Sequence, residues 1–124
     1  LYDMIMLKDN HIDFAGGIIR AIKKANDYLK TIDKDLKIEV EVRNIDEVNE
    51  VIKTGGVHRI MFDNFTPEQT KTALELINGR FETESSGGIT LKTIRAYAEC
   101  GVDYISVGAL THQIKSLDMS LKAI

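Results

Sequence analysis

Cysteine, proline and tryptophan are nearly missing from this chain: its 124 residues hold one cysteine, one proline and no tryptophan. With Cys100 alone, an internal disulfide is impossible. Its setting, Tyr97-Ala98-Glu99-Cys100-Gly101, reads as a helix end carrying a small core residue rather than a reactive thiol. This usage fits a reducing, cytoplasmic setting. Long apolar runs are missing too; none approaches the roughly 20 residues a membrane helix needs. The opening Leu1-Tyr2-Asp3-Met4-Ile5-Met6-Leu7-Lys8 has neither a basic lead nor a small-residue cleavage site, so it does not read as a signal peptide. Positive charge is not in excess either. The formal net charge is −3, which gives no general attraction to nucleic acid, and any phosphate ligand must be held by local geometry. Neither a membrane nor a nucleic acid is expected as a partner.

What is present is the balance of a globular domain: 44% hydrophobic and 28% charged residues, which excludes long disorder and collagen-like sequence. The length suits one domain. The chain begins without methionine, directly on a strand-like run, as expected for a segment of something longer.

Two periods alternate along the chain. Asp3 to Lys8 reads as a buried strand. Gly16-Gly17 then opens a helix with Ile18, Ile19, Ile22, Ala25 and Leu29 at helical spacing. In Leu36 to Arg43, Ile38, Val40 and Val42 alternate with Lys37, Glu39, Glu41 and Arg43, the period of a strand. Asn44 can cap the next helix, Glu47 can complete a capping box, and Gly55-Gly56 ends it. His58 to Asp63 is a third strand. Thr66-Pro67-Glu68-Gln69 starts a helix whose apolar face is Ala73, Leu74 and Ile77 and which Gly79 stops. Phe81 to Ser85 is a weaker strand, and Thr90 to Cys100 a helix with Leu91, Ile94 and Ala98 inward. Val102 to Val107 is a fifth strand, and the tail from His112 reads as a short helix with an irregular end. Such alternation implies an α/β fold with a parallel sheet covered by helices, either an open doubly wound sheet or part of a β/α barrel. Five strands are too few for a closed barrel of about 250 residues, so the barrel reading requires further strands upstream.

Polar residues collect at one end of these strands. Lys8 follows the first, Glu41 lies on the second, Asp63 ends the third, Ser85-Ser86 ends the fourth and Ser106 lies on the fifth. In parallel α/β folds that end binds ligands. Ser86-Gly87-Gly88 sits between a strand and a helix, where glycines let backbone N–H groups approach an anion. Val107-Gly108-Ala109 follows the next strand and suits the same task. Glu41 and Asp63, on neighbouring strands, could bind Mg²⁺, accept hydrogen bonds from sugar hydroxyls, or form a structural pair. His11 and His112 lie near the rim, but the histidines lack metal-ligand spacing, and no Ser-His-Asp or Cys-His system is visible.

Five strings in order carry a resemblance: Met6-Leu7-Lys8-Asp9-Asn10-His11-Ile12, Glu39-Val40-Glu41-Val42, Phe62-Asp63-Asn64-Phe65, Glu84-Ser85-Ser86-Gly87-Gly88-Ile89, and Gly101-Val102-Asp103-Tyr104-Ile105-Ser106-Val107-Gly108-Ala109-Leu110-Thr111-His112. Together they resemble the C-terminal part of the quinolinate phosphoribosyltransferases, also called nicotinate-nucleotide pyrophosphorylases (carboxylating). The resemblance runs over essentially the whole chain and implies that residues 1–124 are the C-terminal portion of a β/α barrel, with an N-terminal domain and the first barrel strands upstream. The implied reaction joins quinolinate to phosphoribosyl pyrophosphate, with Mg²⁺, giving nicotinate mononucleotide, pyrophosphate and CO₂ in de novo NAD synthesis. Carried over by motif, Lys8 pairs with a quinolinate carboxylate, and Glu41 and Asp63 hold ribose hydroxyls and the metal. Ser86, Gly87, Gly88, Val107, Gly108 and Ala109 bind phosphate. The implied assembly is a homodimer or larger, with a neighbour's N-terminal domain closing each site. The family's upstream arginine, lysine and histidine-arginine motifs are absent, so this chain alone is expected to be inactive. A same-fold molybdenum-associated paralogue with another acceptor, and a non-catalytic assembly module, are the alternatives.

Overall fold

The computed structural model describes residues 4–107 and, as backbone, residues 112–115. The order is β1 (Met4–Leu7), α1 (Asp9–Ala15), α2 (Ile18–Thr31), β2 (Lys37–Val42), α3 (Ile45–Thr54), β3 (Arg59–Asp63), α4 (Pro67–Ile77), β4 (Glu82–Ser86), α5 (Ile94–Cys100), β5 (Tyr104–Val107) and β6 (His112–Lys115). The strands form one sheet in sequence order. β1 to β5 are parallel, and β6 returns antiparallel to β5.

That order decides between the two architectures. A doubly wound sheet reverses direction once, which sends helices to both faces. Here every crossover steps to the next strand on the same side, and right-handed crossovers then put all helices on one face. Each helix packs on its successor, α1 on α2 through α4 on α5. This is barrel-type winding.

The helix-side layer is apolar. From α2, Ile18, Ala21, Ile22, Ala25 and Leu29 are buried, and from the sheet Ile38, Val40, Val42, Ile60, Phe62 and Ile105 join them. Phe62 and Phe65 stack with ring centroids 5.0 Å apart. The other face of β2, β3, β4 and β5 carries Glu39 and Glu41, then Arg59, Met61 and Asp63, then Glu82, Glu84 and Ser86, then Tyr104 and Ser106, as the register and the two-residue strand period require. No described helix covers this face, yet Glu39, Arg59 and Glu84 are 3%, 2% and 1% exposed. Such burial follows when a sheet coils round on itself and its inner side chains cover one another.

Local chemistry explains most element ends. Thr66 accepts from the Gln69 N–H while the Gln69 side chain accepts from the Thr66 N–H, with Pro67 in the first turn. Thr66→Ala is expected to cost about 1 kcal/mol, read as a lower urea midpoint with unchanged slope. Asn44 caps α3 as expected, but Glu47 does not turn back to it. Its carboxylate instead accepts from the Arg43 N–H and guanidinium, because Arg43 also reaches Asp13 on α1 and offers a stronger, charged partner.

Five expectations need correction. α1 was not legible: seven residues with one buried apolar side chain, Ile12, show no period. α4 ends at Ile77, with Asn78 in the left-handed region before Gly79 is reached. α5 starts at Ile94 rather than Thr90, because Thr90 and Thr93 bond each other in a preceding turn, and Leu91 is exposed. Residues 112–115 form a strand, not a helix, since β5 offers a free edge. Cys100 is partly exposed rather than core. Its thiol contacts the Pro67 and Ala96 carbonyls, and burial raises its pKa, as suits an inert cysteine.

Candidate functional site

Parallel strands point their C-terminal ends the same way, so the sequence-derived rim residues fall together by register. Leu7 pairs with Val40, which sets Lys8 beside Glu41. Asp63 pairs directly with Ser86. Glu41 pairs with Met61, two residues before Asp63, so the two carboxylates share one face and one end, in diagonal relation rather than directly opposite.

Electrostatics tie them. Burial pushes the Glu41 pKa up, the Asp63 and Asp9 charges push it further, while the Asp9 backbone N–H and the Lys8 charge pull it down. That N–H donates to Glu41 Oε1 at 3.1 Å. The local excess of negative charge is an environment a cation relieves. Among the described residues no cluster of three or more His, Cys, Asp or Glu side chains could hold a metal. Glu41 and Asp63 therefore fit a hard ion that takes one or two protein carboxylates and completes its shell with water and substrate phosphates, the habit of Mg²⁺. They do not fit a resident metal held by protein alone. His11 sits exposed, and its Nδ1 accepts from the Lys8 N–H at 3.4 Å. The His112 side chain lies outside the described residues.

The glycine loop is built differently from expectation. Gly87 (φ 89°) and Gly88 (φ 68°) are both left-handed, but the helix after them begins only at Ile94 and has seven residues, so its N-terminus is not at the loop. Gly87 is pressed against the preceding rim loop. A Cβ there would lie 2.7 Å from Asn64 Oδ1 and 2.9 Å from the Asn64 backbone N, and Asn64 N–H donates to the Ser86 carbonyl at 2.9 Å. Tyr97 Oη braces the same loop by donating to the Phe65 carbonyl at 2.8 Å. Gly87→Val is therefore expected to destabilise the fold by about 1–3 kcal/mol, through overpacking, before any effect on a ligand. Unchanged thermal unfolding with weaker phosphate binding would instead assign Gly87 to ligand approach alone. Val107 turns its side chain into the helix-side core, so only its backbone can meet a ligand. Gly108 and Ala109 lie outside the described residues.

Sequence reading missed what lies beneath the rim. Arg59, 2% exposed, donates to Glu82 at 3.2 Å, meets Glu84 at 3.5 Å and lies 3.9 Å over the Tyr104 ring. Lys8 is thus not the only cation on this face. Glu84 also accepts from the Ser106 hydroxyl and is in hydrogen-bonding contact with Glu39. Burial, the Glu84 hydrogen bond and the Glu84 charge raise the Glu39 pKa to about 9, against the opposing Arg59 charge, which favours the protonated form of Glu39. The signal was parity: Arg59 lies four residues before Asp63, and Glu84 two before Ser86, which puts each on its rim residue's face.

Barrel-type winding with a polar, carboxylate-bearing rim at the C-terminal ends of the strands defines a domain of the β/α-barrel class. Residues 1–122 match the family described as quinolinate phosphoribosyl transferase, C-terminal domain. The chain belongs to that family. Over 98% of its length it is 46% identical to the chloroplastic nicotinate-nucleotide pyrophosphorylase [carboxylating] of Arabidopsis thaliana and 44% identical to a probable nicotinate-nucleotide pyrophosphorylase [carboxylating] of Bacillus subtilis. The structure of the nicotinate-nucleotide pyrophosphorylase from Francisella tularensis superposes on 93% of it, with 43% identity and a TM-score of 0.77. The chain spans 39%, 40% and 39% of the lengths of these three. No described helix is long and apolar enough to cross a membrane.

Proposed function

We propose that the chain supplies the C-terminal half-site of a quinolinate phosphoribosyltransferase that converts quinolinate and phosphoribosyl pyrophosphate to nicotinate mononucleotide, pyrophosphate and CO₂. The observation that carries this reading is the shared rim: Lys8, Glu41, Asp63 and Ser86 stand at the same end of four adjacent parallel strands. Lys8 pairs with a quinolinate carboxylate. Glu41 and Asp63 accept hydrogen bonds from the ribose hydroxyls and hold the sugar as positive charge develops at its anomeric carbon. Ser86, Gly87 and Gly88, with the backbone of the Val107-Gly108-Ala109 loop, bind phosphate. Glu41 and Asp63 would hold Mg²⁺ bound with the co-substrate, and the ion would supply positive charge to offset that of the pyrophosphate.

Partner contact belongs to the same proposal. Among the described residues β1 pairs only with β2, and beside it lies an apolar groove of about 460 Å³ lined by Ile5, Leu7, Phe14, Ala21, Ala25 and Tyr28. Phe14 is 94% exposed. Such an edge and groove suit coverage by further family sequence or by a second subunit of a homodimer or larger assembly. A reducing compartment such as the cytoplasm suits the free, inert Cys100.

The test is product analysis with full-length enzyme carrying this segment. Formation of nicotinate mononucleotide from quinolinate, dependent on Mg²⁺, is expected. Binding of phosphoribosyl pyrophosphate without turnover of quinolinate would favour another acceptor. No binding by calorimetry in the presence of Mg²⁺ would refute the reading.

A further inference from the structure

The β4–β5 ladder is short. β3 and β4 pair from Arg59↔Glu82 to Asp63↔Ser86, but β4 and β5 pair only at Glu84↔Tyr104 and Ser85↔Ile105. The last residues of β5, Ser106 and Val107, have no parallel partner on β4. On that side Ser106 is held instead by its side chain, whose hydroxyl donates to Glu84 Oε2 at 2.5 Å.

Glu84 is a demanding anchor. It is 1% exposed, and a buried carboxylate is tolerated only when its oxygens are filled. Oε1 faces the Arg59 guanidinium, and Oε2 takes the Ser106 hydroxyl. Arg59 grips the same strand a second time by lying 3.9 Å over Tyr104, two residues before Ser106. Arg59 is itself fixed by Glu82, to which Nε and Nη2 both donate. The inner face of β5 is thus clamped at Tyr104 and at Ser106 by one charged unit rooted in β3 and β4.

We propose that Glu84 is a positioning residue for the phosphate-binding rim: seated on Arg59, it fixes the Ser106 hydroxyl and so sets the C-terminal end of β5, Ser106 and Val107. Glu84 does not reach the co-substrate; it acts through Ser106. The inference rests on the phosphoribosyl pyrophosphate reading above, and its tests separate the two.

Glutamine at position 84 keeps the side-chain volume but removes the charge that Arg59 pairs with, and its amide N–H can only reverse the contact with Ser106, whose hydroxyl would then accept a weaker, neutral bond. In full-length enzyme, Glu84→Gln is expected to raise KM for phosphoribosyl pyrophosphate about tenfold, with KM for quinolinate and kcat changed less than about threefold. Ser106→Ala should do the same, Ser106→Thr should restore the wild-type value, and Glu84→Gln/Ser106→Ala should be no worse than the worse single variant. Amide hydrogen exchange supplies a readout without substrate: Glu84→Gln should speed exchange about tenfold at Ser106 and Val107 and leave β2 and β3 unchanged. Unaltered exchange at the end of β5 overturns the clamp whatever the activity. Altered exchange with a wild-type KM for phosphoribosyl pyrophosphate overturns the positioning role and leaves the enzyme reading intact. An enzyme that never binds phosphoribosyl pyrophosphate overturns both.

Discussion

Replacing Asp63 by alanine in full-length enzyme should lower turnover by about 10²-fold or more, the scale on which one preorganised electrostatic contact acts. Asp63 closes β3 at the rim, half-buried, with Ser86 as its neighbour across the ladder. Its charge acts on Glu41, raising that pKa. The end of β3 places the carboxylate at the rim, where in the proposed reaction it would stabilise positive charge developing on the ribose. KM for quinolinate should move less than kcat, because the contact matters most when the sugar is cationic. A second consequence needs no turnover. Without Asp63 one repulsive charge disappears, so Glu41 should titrate at lower pH in carbon-detected NMR. Near-normal turnover of a folded Asp63→Ala enzyme would remove Asp63 from the chemistry. An unmoved Glu41 would remove the electrostatic link.

The rim was legible because it depends on single positions at strand ends. The alternation in Lys37 to Val42 fixes which face Glu41 takes, and the parallel register carries that face to Asp63 and Ser86. Capping chemistry was legible for the same local reason, as Thr66 and Gln69 bear out. What escaped was set by tertiary competition. Glu47 left the expected box for Arg43 because Asp13 of α1 brings the guanidinium there, and α1 itself was too short to show a period. Gly87 was read as open backbone, whereas Asn64 from the neighbouring rim loop fills that space. The clamp of Arg59, Glu84 and Ser106 needs two ladders and a side-chain direction at once, which no single window of sequence contains.

Glu39 should make the fold lose stability as pH rises from mildly acid to alkaline, the reverse of most paired carboxylates. Its folded pKa is raised from 4.5 to about 9, chiefly by burial and then by its contact with Glu84. In the unfolded chain a glutamate titrates in the ordinary carboxylate range. Between those two values the folded state holds a proton that the unfolded state has released. Unfolding then gives up a proton, and stability falls with pH at up to about 1.4 kcal/mol per unit. Below the lower value both states are protonated and the full contribution is present; through the upper value it is lost. Glutamine imitates the neutral acid in size and can still donate to Glu84, so Glu39→Gln should remove this slope while keeping the packing of Met61 and Arg59. Between pH 6 and 8 the wild type is expected to lose roughly 2 kcal/mol relative to the variant, allowing for other groups that titrate in the same range. Urea unfolding of both proteins at pH 6, 7 and 8 measures it. Parallel stability curves would mean that Glu39 is ionised in the fold, and Arg59 would then have to balance three carboxylates, Glu39, Glu82 and Glu84.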